Sequence, residues 1–252
     1  MDLFALTDRT ALVTGASRGI GAAAAEALAA AGADVALLAR DTDGLRATAG
    51  RVEALGRRAH LVRCDLAETE TIAAAVADAT AALGRIDILV NNAGIIRRSP
   101  ALEYSLDDWQ AVLDVNLTAM FRLAQEAGRG MIERGSGKII NIASLLSFSG
   151  GLNVIGYTAS KSAVAGVTRA LANEWARHGV NVNAIAPGYF HTEATAALQQ
   201  SPERYEALRA RIPAGRWGDP AELGGTIVYL ASRASDYVHG HILAVDGGWM
   251  AA

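Results

Sequence analysis

Short runs of β-type apolar residues alternate with longer Ala-rich stretches along the whole chain, and that rhythm constrains the fold more than anything else in the sequence. Strands are expected near Thr10–Val13, Val35–Leu38, His60–Arg63, Ile88–Val90, Lys138–Ile142, Val180–Ala184 and Ile242–Val245. Helices are expected at about Ile20–Ala31, Thr42–Leu55, Thr69–Leu83, Leu106–Glu133, Tyr157–Arg177 and Ala221–Ala231. The runs ILVNN and KIINIA are apolar almost throughout instead of alternating, as a strand must be when helices cover both faces of a parallel sheet. Strict strand–helix alternation points to an α/β fold: a doubly wound parallel sheet of about seven strands with right-handed crossovers. Ser105 followed by Asp108 resembles a capping box at the start of the long central helix. No linker, low-complexity tract or fixed-period repeat divides the 252 residues, so a single domain over 1–252 is expected.

Composition narrows the function classes. With 51% hydrophobic residues there is ample material for a core, and 23 basic against 26 acidic residues leave a net charge of −3. That balance gives no basic footprint for nucleic acid or an anionic membrane. The first residues, MDLFALTDRTALVTG, lack the basic n-region of a signal peptide, and no run reaches the ~18 apolar residues of a spanning helix. The lone Cys64 cannot form an intramolecular disulfide, which fits a reducing compartment. A cytoplasmic protein is the expectation. One segment breaks the α/β rhythm: residues 188–220 carry Pro202, Pro213 and short helical pieces such as PERYEALRAR. Excursions of that length tend to be lids or binding loops, so this one is expected to cover a substrate.

The first strand runs into TGASRGIG, with glycines at 15, 19 and 21 before a helix. Such glycines permit a tight turn and let backbone amides approach a pyrophosphate at a helix N-terminus, where the dipole favours anions. The spacing is G-x-x-x-G-x-G, unlike the common G-x-G-x-x-G fingerprint. The second strand ends in Ala39 and Arg40 with no carboxylate at its tip, and Arg18 lies within the glycine loop. Two guanidiniums favour the 2′-phosphate of NADP(H); the competing reading gives the ribose to Asp41 and accommodates NAD(H). Asp65 in CDL, and NNAG at Asn91–Gly94, stand at C-terminal strand ends, where open α/β sheets bind ligands. Taken alone, each is as well explained by capping or turn chemistry.

NIAS places Ser144 just past the fifth strand, and YTASK follows at Tyr157–Lys161. Residues four apart share a helix face, so the Lys161 ammonium can sit under the Tyr157 phenol. A nearby cation is expected to lower the phenol pKa from its reference near ~10 and make it a general acid/base. Ser144 would orient a substrate carbonyl or alcohol, and Asn116 would hold a water linking Lys161 to solvent. Singly, a Tyr–Lys pair and a Ser after a strand are ordinary surface and capping features. Together with the glycine loop and NNAG they are hard to assign to coincidence.

TGASRGIG, NNAG, Asn116, Ser144 and YTASK, with APG at Ala186–Gly188 and the later Thr192, resemble in order and spacing the motifs of the short-chain dehydrogenase/reductase family. The resemblance spans essentially the whole chain. It implies a Rossmann fold and hydride transfer between nicotinamide C4 and a carbonyl or alcohol carbon. It assigns catalysis to Asn116, Ser144, Tyr157 and Lys161. It implies cofactor contacts from Gly15, Ser17, Arg18, Gly19, Ile20, Gly21, Arg40, Asp65, Leu66, Asn91, Asn92, Ala93, Gly94, Tyr157, Lys161, Pro187, Gly188 and Thr192, and it implies a homotetramer. No metal is implied. The loops NNAGIIRRSPALE, NEWARHGVNVNAIAPGYFHT and RIPAGRWGDPAEL look like the branch acting on keto-deoxy sugar acids. Arg97 and Arg98 are candidates for the substrate carboxylate, or else solvated or interface residues. Asn153, Tyr189 and His191 are candidates for sugar hydroxyls. Sibling branches, gluconate 5-dehydrogenases and 3-oxoacyl-carrier-protein reductases, share these motifs, though a net −3 gives little for an acidic carrier protein to grip. A dinucleotide-binding regulator would be expected to lack the Tyr or the Lys, and both are present.

Overall fold

The central strands are buried on both sides because helices cover both faces of the sheet. The computed structural model describes residues 3–252, the side chain of Ala197 excepted. Strands β1 (Thr10–Thr14), β2 (Asp34–Ala39), β3 (Ala59–Arg63), β4 (Ile88–Asn91), β5 (Gly137–Ile142), β6 (Val180–Pro187) and β7 (Ile242–Val245) form one parallel sheet in the order β3-β2-β1-β4-β5-β6-β7. Helices α1 (Gly19–Ala30) and α2 (Asp43–Ala54) cover one face, together with the late helix over Gly224–Ala231. The other face carries α3 (Ile72–Leu83) and two helices that supply much of the site, α5 (Ala119–Glu133) and α6 (Ile155–Trp175). Alternate residues of β1 feed the two cores: Ala11 and Val13 one way, Leu12 the other, all fully buried. This is the doubly wound Rossmann arrangement, and its strand order reverses between β1 and β4. The loops after those two strands therefore flank the crevice where such sheets bind ligands.

The expected long central helix is interrupted. Residues Leu106–Leu113 form α4, residues Asp114–Thr118 form a π turn, and α5 follows. Ser105 caps α4, its Oγ accepting from Asp108 N at 3.1 Å. The final expected helix also divides, into a 3-10 turn over Pro220–Leu223 and α9 (Gly224–Ala231). Between β6 and that turn, α7 (Ala196–Gln199) and α8 (Pro202–Arg209) form the two short helical pieces of the 188–220 excursion. Aromatic rings pack this segment: Trp217 is 2% exposed and lies 5.2 Å from Tyr189 and 4.9 Å from Tyr205, ring centre to ring centre. At the opposite, N-terminal edge of the sheet, the buried Asp87 accepts from Thr10 N at 3.0 Å and Arg85 Nε at 2.9 Å, with Arg9 and Arg134 close by. No helix among the described residues is long and apolar enough to cross a membrane.

Candidate active site

The turn after β1 depends on three positions that lack a side chain. Gly15 and Gly19 sit at φ of +64° and +54°, where a Cβ is strained. A Cβ on Gly21 would fall on the Gly15 carbonyl oxygen and within 2.5 Å of Asn92 Nδ2. Asn92 Nδ2 donates to Thr14 O (2.9 Å) and Gly15 O (3.3 Å), while Thr14 Oγ1 accepts from the amides of Asn92 and Ala93 at 3.0 Å each. The loops after β1 and β4 are thereby locked together. Gly94 leaves a further gap, since a Cβ there would lie 3.2 Å from Asn116 Oδ1 and 3.8 Å from Lys161 Nζ. A bare backbone track thus runs from the α1 N-terminus toward Lys161, a shape and polarity that fit an extended dinucleotide.

At the adenosine end, Arg40 is exposed at the tip of β2 and meets no carboxylate among the described residues. Asp41 Oδ1 accepts from Asp43 N at 2.9 Å, which turns one carboxylate oxygen to the start of α2. Ser17 lies beside Gly44, its Cβ 3.2 Å from where a Gly44 Cβ would stand. Arg18, the N-cap residue of α1, pairs with Glu193 at 2.8 Å. Several expected cofactor residues offer backbone only. Leu66 is in the core on the α3 and α5 face, Ile20 packs against the core on the α1 and α2 face, Pro187 is buried at the end of β6, and a Gly188 Cβ would meet Asp246 Cα at 2.7 Å. Asp65 Oδ1 accepts from Ala67 N at 3.0 Å, the capping alternative. Asn91 turns into the sheet: it is 5% exposed, and its Nδ2 donates to Asn141 Oδ1 at 2.9 Å. Its side chain therefore does not face the crevice, contrary to expectation, because β4 pairs Asn91 with Asn141 inside the sheet. Thr192 caps a 3-10 turn over Glu193–Thr195 and closes against Gly19, its Cγ2 3.6 Å from a notional Cβ.

Ser144, Tyr157 and Lys161 do come together. Ser144 sits past β5, its Oγ accepting from Leu146 N at 3.2 Å and hydrogen-bonded to the Tyr157 phenol. Lys161 is 4% exposed; its Nζ lies 5.6 Å from the Tyr157 ring centre and donates to Ile142 O at 2.6 Å. The expected lowering of the tyrosine pKa is not what this arrangement produces. Burial raises the phenol above its ordinary value, against which the Ser144 hydrogen bond and the Arg98 charge work in the other direction. Burial also acts on the lysine, bringing it down to about 8. Its head group is committed to the Ile142 carbonyl, and no opposite charge offsets its desolvation.

Asn116, in the π turn, is 2% exposed. It brackets one residue of the loop after β4, its Oδ1 accepting from Ile95 N (2.8 Å) and its Nδ2 donating to Ile95 O (3.0 Å) and Ser160 Oγ (3.1 Å). Both amide donors are thus used by protein partners, and Oδ1 keeps one acceptor position. Two residues beyond Ile95 the arginines diverge. Arg97 turns back to Asp108 of α4 (3.2 Å), whereas Arg98 lies near enough to Tyr157 to act on its titration and donates to Ala194 O at 3.3 Å. Asn153 is exposed at φ +61° and contributes its carbonyl to Ser99 N at 3.0 Å. Tyr189 and His191 join the Trp217 cluster instead of the Ser144–Tyr157 group, with His191 Nδ1 3.2 Å from Gln199 Oε1. Thr14, Asn141, Ser160 and Glu193 were not singled out from the sequence. A polar Asn inside the apolar run KIINIA was the visible signal for Asn141, which is fully buried and bonds Thr168 Oγ1 at 2.9 Å.

Comparison with known proteins agrees with this geometry. The profile of a family described as enoyl-(acyl carrier protein) reductase matches residues 15–250. The 2-dehydro-3-deoxy-D-gluconate 5-dehydrogenase of Bacillus subtilis is 54% identical over 252 residues, covering 99% of this chain and 97% of that protein. Among solved structures, a protein from Beutenbergia cavernae assigned as an NAD(P)-dependent gluconate 5-dehydrogenase, with NADP bound at low occupancy, superposes with a TM-score of 0.96 at 53% identity, covering 100% of both chains. The gluconate 5-dehydrogenase of Burkholderia cenocepacia, in complex with NADP and tartrate, gives a TM-score of 0.96 at 44% identity over 100% of this chain and 98% of that one. With the profile spanning nearly its whole length and a relative sharing more than half its residues, this chain belongs to the short-chain dehydrogenase/reductase family.

Proposed function

We propose that the protein is an NAD(P)(H)-dependent oxidoreductase that interconverts a carbonyl and a secondary alcohol on a keto-deoxy sugar acid, in the manner of a 2-dehydro-3-deoxy-D-gluconate 5-dehydrogenase. The observation that carries the reaction type is the Ser144–Tyr157–Lys161 group at the end of a bare-backbone track. The dinucleotide would be held by the amides of the Gly15–Gly21 loop, by the backbone of Ala93 and Gly94, by Lys161 and by Thr192. Arg18 and Arg40, with Asp41 engaged elsewhere, favour NADP(H) over NAD(H). When bound, the nicotinamide supplies or accepts the hydride.

The chain's own residues handle the proton. Tyr157, kept neutral by burial, donates its phenolic proton to the oxygen of a carbonyl being reduced, and takes it back from an alcohol being oxidised. Ser144 orients that oxygen and Lys161 stabilises the phenolate formed. Asn116 acts through Ile95, fixing the loop that carries Arg98. Arg97 is paired with Asp108, whereas the charge of Arg98 reaches Tyr157, so Arg98 is the one proposed to receive the substrate carboxylate. The 188–220 segment would then cover the bound substrate, from a chain proposed to be cytoplasmic and homotetrameric.

Replacing Tyr157 by Phe tests this. Turnover should fall at least about a thousandfold, in line with loss of a general acid/base, while NADP+ binding followed by tryptophan fluorescence stays within about twofold. A variant with near-normal kcat would end the mechanism. A second reading, gluconate 5-dehydrogenase, is favoured by the two solved structures above. Comparing gluconate with a 3-deoxy-2-keto acid as substrate separates the two.

A further inference from the structure

The Glu193–Thr195 turn is held by guanidiniums from two directions. Glu193 Oε2 lies 2.8 Å from Arg18 Nη2 on the glycine-loop side, and Arg98 Nη2 donates to Ala194 O on the Tyr157 side. The turn's position does not depend on Arg18. Thr192 and Thr195 form a reciprocal cap, Thr195 Oγ1 donates to Phe190 O at 2.7 Å, and Gln199 Nε2 donates to Thr195 Oγ1 at 2.9 Å. Thr192 also packs on the glycine loop beside Gly19. A carboxylate is therefore mounted, on a locally stapled turn, directly over one of the two cations placed for a 2′-phosphate. The other, Arg40, meets no carboxylate among the described residues, and Asp41 is turned to its own helix.

We propose that Glu193 is a cofactor-selectivity residue: its carboxylate occupies the Arg18 guanidinium that a 2′-phosphate requires, and so narrows the preference for NADP(H) over NAD(H). The inference rests on the reading above that Arg18 serves the 2′-phosphate. A dinucleotide with a ribose hydroxyl in place of that phosphate makes no demand on Arg18, so Glu193 leaves its binding untouched. Both side chains of the pair are about two-thirds exposed or more. The pair is screened and weak, and its effect is a tuning of a few-fold instead of a block. Like charge adds to the competition, because Glu193 also repels the incoming phosphate.

Direct binding of NADP+ and NAD+, by calorimetry or quenching of tryptophan fluorescence, tests this in the wild type, Glu193→Gln, Arg18→Met, the Glu193→Gln/Arg18→Met double variant and Arg40→Ala. Glu193→Gln should tighten NADP+ by about two- to fivefold at low salt, leave NAD+ unchanged, and lose its effect in the Arg18→Met background. Equal changes for both dinucleotides, no change for either, or a gain that persists without Arg18 would overturn the proposal. If Arg18→Met weakens NADP+ but Glu193→Gln is silent, the competition fails and the cofactor reading stands. If neither Arg18→Met nor Arg40→Ala affects NADP+ more than NAD+, the cofactor reading fails and the proposal fails with it.

Discussion

Tyr157 and Lys161 share a helix face, yet burial moves their pKa values in opposite directions: the phenol rises and the amine comes down to about 8. A neutral phenol suits reduction, which consumes a proton, while oxidation needs the phenolate. Alcohol oxidation should therefore accelerate as pH rises through the alkaline range, and carbonyl reduction should slow over the same range; pH profiles of kcat in both directions check this. For Lys161 the folded value lies below the unfolded value of 10.5, so the unfolded chain binds the proton more tightly. Stability then increases as pH rises from about 8 toward 10.5, and at neutral pH the buried ammonium costs about 3 kcal/mol. Lys161→Met should accordingly raise the Tm at neutral pH while abolishing turnover, with the Tm gain shrinking above pH 8. Thermal melts across pH read the sign directly.

The elements that hold these residues were legible to different degrees. The seven strands and most helices follow from apolar runs and Ala-rich stretches, because a sheet covered on both faces leaves few polar positions, and those it keeps, such as Asn91 and Asn141, pair inside it. The π turn over Asp114–Thr118 was not legible, since one extra residue in a helical turn leaves the apolar pattern of Leu106–Glu133 almost unchanged. It matters because it places Asn116 opposite Ile95. Asn116→Ala would leave both backbone groups of Ile95 without their partners, at about 2 kcal/mol and a loss of at least tenfold in kcat/KM as the Arg98 loop shifts. Loss of activity in Asn116→Asp, whose carboxylate can accept from Ile95 N but cannot donate to Ile95 O, would mark the amide's donor role, and an Asn116→Asp enzyme with normal kcat/KM would exclude it. The glycine loop was readable as a cradle, whereas Asn92 as its clamp and the inward turn of Asn91 were not: adjacent residues in NNAG give no sign of which side chain enters the sheet. Gly21→Ala, with its Cβ on the Gly15 carbonyl, should weaken NADP+ binding at least tenfold and lower stability by about 1–3 kcal/mol.

Across the whole molecule the two ends of the sheet carry different duties. The C-terminal ends of β1, β4 and β5 present the cradle and the Ser144–Tyr157–Lys161 group, while the N-terminal ends are stapled by Asp87 among Arg9, Arg85 and Arg134. Removing that carboxylate leaves the Thr10 amide and three partly exposed guanidiniums without their acceptor, so Asp87→Ala should cost about 1–3 kcal/mol, or about 5 °C in Tm, with NADP+ affinity nearly unchanged in the folded fraction. The substrate is written in neither end. On the proposed reading it depends on Arg98 and on the 188–220 segment, where Tyr189 and His191 pack with Trp217. The central claim is therefore tested most directly by kcat/KM for a panel of 3-deoxy-2-keto sugar acids, gluconate, uncharged polyols and β-ketoacyl thioesters with NADP(H). The account requires the keto-deoxy sugar acids to lead, and Arg98→Met to abolish their advantage over uncharged polyols. A clear preference for the thioesters, or an Arg98→Met enzyme that still favours the sugar acids, would contradict it.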